Sequence, residues 1–254
     1  FLHADLSQFS IIEFSQLKKT SAIGPTGLGP YYWGKVGDAL SAKLNVPIMF
    51  FNTGWSGASV RVWRESAENP NVGVPSDFQS DNPRDPIRYY DKGTPYSNLN
   101  TVLRYYGINL GVRAVLWMEG ETQNLLNLSA LRNNKPLPVS EANYLDNLQR
   151  LIKKTRQDLG NNKLAWVVAR TSYSGDLDCK VISTPLPPPP APSPIIVSAQ
   201  NKAISDKTLA PVYPGPFTDN IQTSVLRERD QCVHFTGKGL DDAATAWVKA
   251  LTED

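Results

Sequence analysis

The sequence is poor in the residues that metal sites and disulfide-rich folds need. Its 254 residues include only two cysteines, Cys179 and Cys232, and two histidines, His3 and His234. There is no CxxC pair and no Cys/His cluster with zinc spacing, so we expect no metal and no cofactor. The cysteines are compatible with a disulfide in an exported protein or with two buried thiols, and the sequence leaves both open.

The sequence also lacks a strong excess of charge and a long apolar run. Its net charge is +2 with both signs interspersed, which gives no basic surface for nucleic acid or for an anionic membrane. The longest apolar run, residues 46–51, is interrupted by Pro47 and is far too short to span a bilayer. The expected partners therefore include neither nucleic acid nor a membrane, and the oligomeric state stays unknown.

The first ten residues have neither the basic start nor the apolar stretch of a signal peptide. The first residue is Phe1 rather than methionine, so we expect the chain to begin inside a longer protein. With 41% apolar residues, residues 1–254 suit one large globular domain with a continuous core.

Helical and strand patterns alternate along the chain. Apolar residues recur at helical spacing in four segments: 31–45, 99–110, 140–160 and 240–251. Continuous apolar runs predict buried strands in three segments: 46–51, 113–120 and 164–173. This alternation predicts an α/β fold with a mostly parallel sheet and helices on both faces.

Polar segments follow each of the three predicted strands. They comprise residues 52–57, 119–124 and 171–175. Because ligands bind beyond the carboxyl ends of parallel strands, we expect these segments to line one rim of the sheet.

Two long segments have the composition of loops. Residues 185–194 (PLPPPPAPSP) favour polyproline geometry. We predict a stiff surface loop within one domain, because the roughly sixty residues after it contain one clear helix and too little apolar sequence for a second core. Residues 64–97 are polar and rich in proline and glycine, which is typical of functional or disordered loops.

His234 is the candidate catalytic base. It precedes the last predicted helix, and Asp230 lies four residues upstream, where a carboxylate can hold an imidazole in one tautomer. An ordinary surface pair is the alternative interpretation. His3 lies in a terminal segment without flanking structure, and we expect it to be solvated.

The segment 52–57 (NTGWSG) is a candidate oxyanion site. Small residues after a strand let backbone N–H groups approach a developing negative charge. The glycines can equally serve a tight turn. Residues 54–58 also approximate the nucleophile elbow G-x-S-x-G around Ser56, with Ala58 in the last position.

A third candidate is residues 117–124 (WMEGETQN), which contain Glu119, Gly120 and Glu121. Polar groups directly after a buried strand are costly to desolvate unless they are paired or functional. A structural ion pair between Glu119 and Arg170 of the neighbouring predicted strand is the alternative.

Four ordered blocks of the chain resemble the sialate O-acetylesterase and acetylxylan esterase branch of the SGNH hydrolases. The blocks are GPTGLGPYYWGKVGDAL, FFNTGWSGASVRVW, VLWMEGETQN and VHFTGKGL, and the likeness extends from about residue 24 to the C-terminus. The resemblance implies a three-layer α/β/α sandwich with a mostly parallel central sheet. It also implies hydrolysis of acetyl esters on carbohydrate by a secreted, periplasmic or otherwise extracytoplasmic protein.

The resemblance implies roles for individual residues. His234 matches the family's base, and Asp230 is the candidate for the acid that orients it. Gly57 matches a glycine whose N–H binds the oxyanion, and Glu119 stands where many relatives carry a glutamine that donates to it. The remaining candidates for oxyanion or substrate binding are Ser56, Gly120 and Glu121.

The chain departs from the family pattern at three points. The nucleophilic serine of a Gly-Gln-Ser-Asn motif is absent, so we expect this serine and its strand upstream of Phe1. Glu119 is an acceptor only when ionised and cannot donate to an oxyanion unless it is protonated. The spacing between Asp230 and His234 is one residue longer than the usual Asp-x-x-His.

These observations leave three hypotheses. The leading one is a carbohydrate O-acetylesterase with a Ser-His-Asp mechanism, in which Trp55 and Trp63 either stack on sugar or pack in the core. The second is a non-catalytic carbohydrate-binding relative with the same fold. The third is an α/β-hydrolase that uses Ser56, with Asp176 or Asp178 as its acid.

Overall fold

The computed structural model describes residues 16–18, 21, 29–80, 82, 84–174, 192–222 and 233–253. Several residues singled out above lie outside these ranges: His3, Asp176, Asp178, Cys179, residues 185–191, Asp230 and Cys232. In the described ranges the chain is a mixed α/β protein. None of the helices described there has the length and apolar content that crossing a bilayer requires.

Helices and strands alternate along the described residues. The helices are α1 (Trp33–Leu44), α2 (Val60–Glu68), α3 (Tyr96–Thr101), α4 (Ile108–Leu110), α5 (Glu121–Arg132), α6 (Glu141–Leu159), α7 (Pro194–Ser205) and α8 (Lys238–Thr252). The strands are β1 (Val74–Pro75), β2 (Tyr89–Tyr90), β3 (Ala114–Trp117), β4 (Ala165–Arg170) and β5 (Val212–Phe217). A π-helical segment, Val102–Gly107, joins α3 to α4, and a 3₁₀ turn, Lys207–Leu209, follows α7.

The main sheet is parallel, with the strand order β3-β4-β5. Ala114 pairs with Ala165, and Trp166 pairs with Val212, so β4 is the central strand. Helices α5 and α6 connect β3 to β4, and α7 lies between β4 and β5. Strands β1 and β2 form a separate antiparallel pair.

Side chains of β4 are buried on both faces of the sheet. Trp166 and Val168 belong to a cluster with residues of α2, α3, α6 and α7, which we call the α6 cluster. Val167 and Ala169 belong to a second cluster with residues of α1 and α8, the α8 cluster. Burial on two faces explains why this strand is a continuous apolar run rather than an alternating one.

The prediction of a helix over 140–160 is confirmed, including both of its ends. The Ser140 hydroxyl accepts a hydrogen bond from the Asn143 N–H at 3.1 Å, which caps the first turn of α6. Gly160 has φ +68°, the left-handed conformation that glycine adopts at no steric cost when it ends a helix. The other predicted helices correspond to α1, α8 and the helical stretch from α3 to α4.

Arg156 of α6 holds the amino ends of two strands. Its side chain is buried and donates to the main-chain oxygens of Leu164 at 3.0 Å, Leu209 at 2.6 Å and Pro211 at 2.8 Å. Leu164 precedes β4 and Pro211 precedes β5, so a single guanidinium fixes α6 to both strands. Burial lowers the pKa of this group from its ordinary value.

The prediction of a strand at 46–51 is wrong, since no strand is assigned there. Ile48 and Phe50 pack against the α8 cluster, whereas Val46, Met49 and Phe51 are exposed. The apolar run therefore contacts the core through alternate side chains without hydrogen-bonding into the described sheet. An apolar run indicates that side chains are buried, but a segment can bury side chains without pairing as a strand.

The sequence patterns also missed several elements. The predicted loop at 64–97 contains the end of α2, the β1–β2 pair and the start of α3. The residues after the proline-rich segment contain α7 and β5 as well as the expected α8. Pro194 is the first residue of α7 rather than the end of a loop, because a first helical residue needs no N–H donor.

Candidate active site

One buried amide connects the loops that follow β3 and β4. Gln200 of α7 is fully buried, and its Nε2 donates to the main-chain oxygens of Glu119 at 3.0 Å and Thr171 at 2.8 Å. Its Oε1 accepts from the Thr171 N–H at 3.0 Å. The carboxyl ends of two neighbouring strands are therefore held together, as the parallel arrangement predicts.

Gly120 lies where these two loops come closest. A Cβ atom at this position would be 2.0 Å from the main-chain oxygen of Thr171. Only glycine fits such a close approach. The next residue, Glu121, accepts a hydrogen bond from the Thr171 hydroxyl at 3.0 Å, and Asn124 donates to the Ser172 oxygen at 2.8 Å.

Asp219, which the sequence patterns missed, ties the loop after β5 to the loop after β4. Its buried carboxylate accepts hydrogen bonds from the N–H groups of Ser172 at 2.7 Å and Tyr173 at 2.8 Å. It also accepts from the Ser172 hydroxyl at 2.6 Å. A polar residue directly after an apolar strand was the available signal, but β5 itself was not predicted.

The carboxyl group of Glu119 is buried, with Gln123 and Tyr144 beside it. In the described ranges neither of its oxygens has a well-formed hydrogen bond. Burial raises the pKa of Glu119 well above its ordinary value, and the negative charges of Glu121 and Asp77 raise it further. Gln123 and Tyr144 lie near enough to lower this pKa in part. Burial therefore favours the protonated, neutral form of this carboxyl group.

Tyr144 and Arg170, which could pair with a carboxylate, both donate hydrogen bonds to main-chain oxygens. The Tyr144 hydroxyl donates to the main-chain oxygen of Glu119 at 2.6 Å, so its proton is not directed at the carboxyl group. Arg170 donates to the main-chain oxygen of Gly215 at 2.5 Å, and the ion pair with Glu119 is not among the described contacts. A protonated Glu119 can donate one hydrogen bond, which the ionised form cannot.

Tyr32 brings the segment before α8 next to the loop after β3. Its hydroxyl donates to the Met118 sulfur at 3.1 Å, and its ring meets Phe235 edge-on with centroids 6.1 Å apart. Burial raises the pKa of Tyr32, and the charge of Glu121 contributes to the rise. The immediate neighbours of His234 and Glu119 thus contact the same tyrosine.

His234 itself is exposed, four residues before α8 begins at Lys238. Its predicted partner Asp230 lies outside the described residues, so their pairing stays a prediction.

The predicted oxyanion segment forms a turn before α2. Gly57 has φ +71°, which favours glycine, and its oxygen accepts from the Tyr90 hydroxyl at 3.0 Å. The Ala58 N–H donates to the Trp55 oxygen at 3.3 Å, so the turn tip carries Ser56, which is exposed. The described contacts anchor this turn to β2, and its position relative to His234 stays a prediction.

The two tryptophans near this turn differ in environment. Trp63 is 5% exposed and meets Trp117 edge-on with ring centroids 5.8 Å apart, so it is a core residue. Trp55 is only partly buried against the α6 cluster and keeps an accessible portion.

Across the described ranges, no group of three or more His, Cys, Asp or Glu side chains is placed to hold a metal ion. Comparisons with protein-family models, with curated proteins and with solved structures find no match to this chain.

Proposed function

We propose that the protein is a carbohydrate O-acetylesterase of the SGNH type, with a single three-layer α/β/α domain and an extracytoplasmic location. The observation that carries the proposal is the shared contact of Met118 and Phe235 with Tyr32. This contact supports a common site for Glu119 and His234, which lie beside those residues in the chain. Joined loops at the carboxyl ends of parallel strands are also where ligands bind in such sheets.

The proposed reaction is acyl transfer through a serine. A serine hydroxyl, expected upstream of Phe1, attacks the acetyl carbonyl while His234 accepts its proton and Asp230 orients the imidazole. His234 then delivers that proton to the leaving sugar hydroxyl. Water, deprotonated by the same histidine, attacks the acetyl-serine, which releases acetate and restores the serine.

The tetrahedral oxyanion needs hydrogen-bond donors, and two residues here supply them. Gly57 donates through its main-chain N–H. Glu119 donates through its carboxylic acid when it is protonated, a form that its burial favours. The acid thus replaces the side-chain amide that the resemblance leads one to expect at this position.

The geometry gives less support to Ser56 as a nucleophile. A nucleophile elbow is a sharp strand-to-helix turn with a strained serine at its tip. Here no strand is assigned at 46–51, α2 starts only at Val60, and Ser56 is not among the residues with positive φ. A non-catalytic carbohydrate-binding protein would have the same loops, and a hydrolysis assay distinguishes it from an esterase.

The decisive experiment measures hydrolysis of 4-nitrophenyl acetate by the protein with its natural sequence upstream of Phe1. We expect His234→Gln to lower kcat/KM by about 100-fold or more, because it removes the general base. His3→Gln is the matched control, since it changes the other histidine, and it should retain full activity.

Three results would contradict the proposal. Equal activity of wild type and His234→Gln would show that His234 is not the general base. Activity of residues 1–254 alone that Ser56→Ala abolishes favours the α/β-hydrolase mechanism. Absence of hydrolysis in a folded wild-type protein that still binds sugar favours the non-catalytic relative.

A further inference from the structure

Trp55 differs from the other five tryptophans in the surroundings of its ring. In the described part of the chain, each of the other five packs against another aromatic ring, whereas Trp55 packs against none. One part of its side chain touches the α6 cluster, and the rest is accessible. A large apolar side chain is therefore open to solvent in the turn that precedes α2.

A second aromatic ring, that of Phe78, lies against Gly57 in the same turn. A Cβ atom added to Gly57 would be 3.8 Å from a ring carbon of Phe78. Phe78 is partly buried, yet it is not among the described side chains that pack against the α6 cluster or the α8 cluster. This ring is therefore placed by the turn and not by the core.

Side-chain hydrogen bonds hold the segment that carries this second ring against the turn and α2. Asp77 accepts from the Ser59 hydroxyl and, at 2.8 Å, from Nε of Arg61. The Tyr90 hydroxyl donates to the Gly57 oxygen at 3.0 Å. Because these bonds lie on both sides of the ring in the chain, the ring keeps a fixed position beside the turn.

The turn lies close to the loop that follows β3. Trp63 of α2 packs edge-on against Trp117, the last residue of β3, with ring centroids 5.8 Å apart. The charge of Asp77 also raises the pKa of Glu119, so these two carboxyl groups are near each other. Both aromatic rings thus border the site at which the proposed function places acetyl transfer.

The polar side chains around the two rings are neutral or are paired in charge. Thr53 and Ser56 carry hydroxyl groups within two residues of Trp55. Asp77, which precedes the second ring in the chain, pairs with Arg61 at 2.8 Å. Aromatic side chains with a few polar groups are a common lining of ligand sites. This lining suits a pyranose, which presents C–H groups to the ring faces and hydroxyl groups to the turn.

We propose that Trp55 and Phe78 form an aromatic wall that stacks on the pyranose ring of the acetylated substrate and so determines its specificity. The choice of a sugar acetate as substrate rests on the proposed function, whereas stacking of a sugar on the two rings does not. The wall contacts a part of the substrate that does not react. Its loss should therefore raise KM and leave kcat unchanged.

The first test compares a sugar acetate with an ester that has no ring, using the protein with its natural sequence upstream of Phe1. The substrates are acetylated methyl β-D-xyloside and ethyl acetate, and the release of acetate is measured. We expect Trp55→Ala and Phe78→Ala each to raise KM for the xyloside about tenfold, without a change in kcat or in the hydrolysis of ethyl acetate. Trp55→Phe should retain most of the preference, because it keeps a ring.

Tyr89→Ala is the matched control for these variants. Tyr89 is an aromatic residue of β2, in the same segment as Phe78, and it is 58% exposed. Its removal should leave KM for both esters unchanged.

The second test measures sugar binding without hydrolysis. Saturation-transfer NMR is carried out with methyl β-D-xyloside and methyl β-D-glucoside, which carry no ester, and with 4-nitrophenol as an aromatic probe. We expect wild type and His234→Gln to saturate the C–H protons of at least one glycoside, and Trp55→Ala to do so at least about fivefold less. Urea denaturation shows whether each variant is folded, and Phe78→Ala decides the result if Trp55→Ala is not.

The two tests separate this proposal from the esterase. Glycoside binding that depends on Trp55, in a protein that hydrolyses nothing, would support the wall and refute the esterase. Unchanged KM for the xyloside in folded Trp55→Ala and Phe78→Ala would refute the wall and leave the esterase in place. Failure of both glycosides to bind would also overturn the wall, as would a preference for 4-nitrophenol that depends on Trp55.

Discussion

The side-chain amide of Gln200 donates to the main-chain oxygen of Glu119 at 3.0 Å and so couples α7 to the loop after β3. The same amide exchanges two hydrogen bonds with the main chain of Thr171. One side chain thereby hydrogen-bonds main-chain groups of two loops, which lie beyond the ends of β3 and β4. Without it, the main-chain N–H and oxygen of Thr171 would be buried and would lose this partner.

We therefore predict that Gln200→Leu destabilises the protein strongly. It keeps the size of the side chain but leaves the main-chain N–H and oxygen of Thr171 without this partner, at about 1–3 kcal/mol each, whereas the Glu119 oxygen keeps its hydrogen bond from Tyr144. The expected loss is roughly 3–5 kcal/mol in the free energy of unfolding, measured by urea denaturation. Gln123→Leu is the matched control, since it makes the same exchange at an equally buried site where the amide has no well-formed hydrogen bond to the described residues. Equal losses in the two variants would contradict this account.

A second prediction concerns the pH dependence of stability. The pKa of Glu119 is raised in the folded protein above its ordinary value of 4.5, mainly by burial. Between these two pKa values the folded chain holds more protons than the unfolded chain, so stability falls as pH rises through this window. The slope that this one group contributes is at most about 1.4 kcal/mol per pH unit.

Glu119→Gln should remove that contribution. We expect the variant to match wild type below pH 4.5, where both states hold the proton, and to gain stability relative to it as pH rises. Under the proposed esterase mechanism, Glu119→Gln should keep the activity and extend it to higher pH, because glutamine also donates a hydrogen bond, whereas Glu119→Ala should lose it. Parallel stability–pH curves for wild type and Glu119→Gln would show that the carboxyl is ionised in the folded state.

A third prediction concerns Gly120. A Cβ atom there would overlap the Thr171 oxygen and lie 2.9 Å from Nε2 of Gln200, so Gly120→Ala must separate the two loops. We expect a loss of about 3 kcal/mol or more, measured as a fall in the thermal unfolding midpoint. Gly34→Ala in α1 is the control, because a Cβ there meets no atom within 4 Å. This control should stabilise the helix by about 0.5–1 kcal/mol.

Elements with a strong period and clear ends were predictable from sequence. The helix over 140–160 combines a capping serine, an amphipathic stripe and a terminal glycine, and α6 has these bounds. Strands β3 and β4 are apolar runs because both of their faces are covered. In contrast, β5 contains two prolines and a glycine, residues that are uncommon in strands. Tertiary packing stabilises this strand despite its composition.

The candidate site was predictable only in outline. Polar segments that follow parallel strands lie along the same edge of the sheet, and this rule predicts that Glu119 and Thr171 are close together. Gln200 and Asp219 were not predictable, because their roles depend on where α7 and β5 place them. The segment 46–51 is the opposite case, because its apolar pattern predicted a strand and none is assigned there.

Strand β4 is anchored at both of its ends. Arg156 bonds the oxygen of Leu164 before the strand, and Gln200 bonds Thr171 after it. Because its two ends are hydrogen-bonded to different helices, α6 and α7, the strand does not fray locally. We therefore expect its backbone amides to exchange with solvent only when the whole domain unfolds. The antiparallel pair β1–β2 has only two residues in each strand, and side-chain hydrogen bonds from Arg61 to Pro75 and from Tyr90 to Gly57 hold it to the start of α2 and to the turn before that helix. We expect the amides of this short pair to exchange through local opening, well before those of β4.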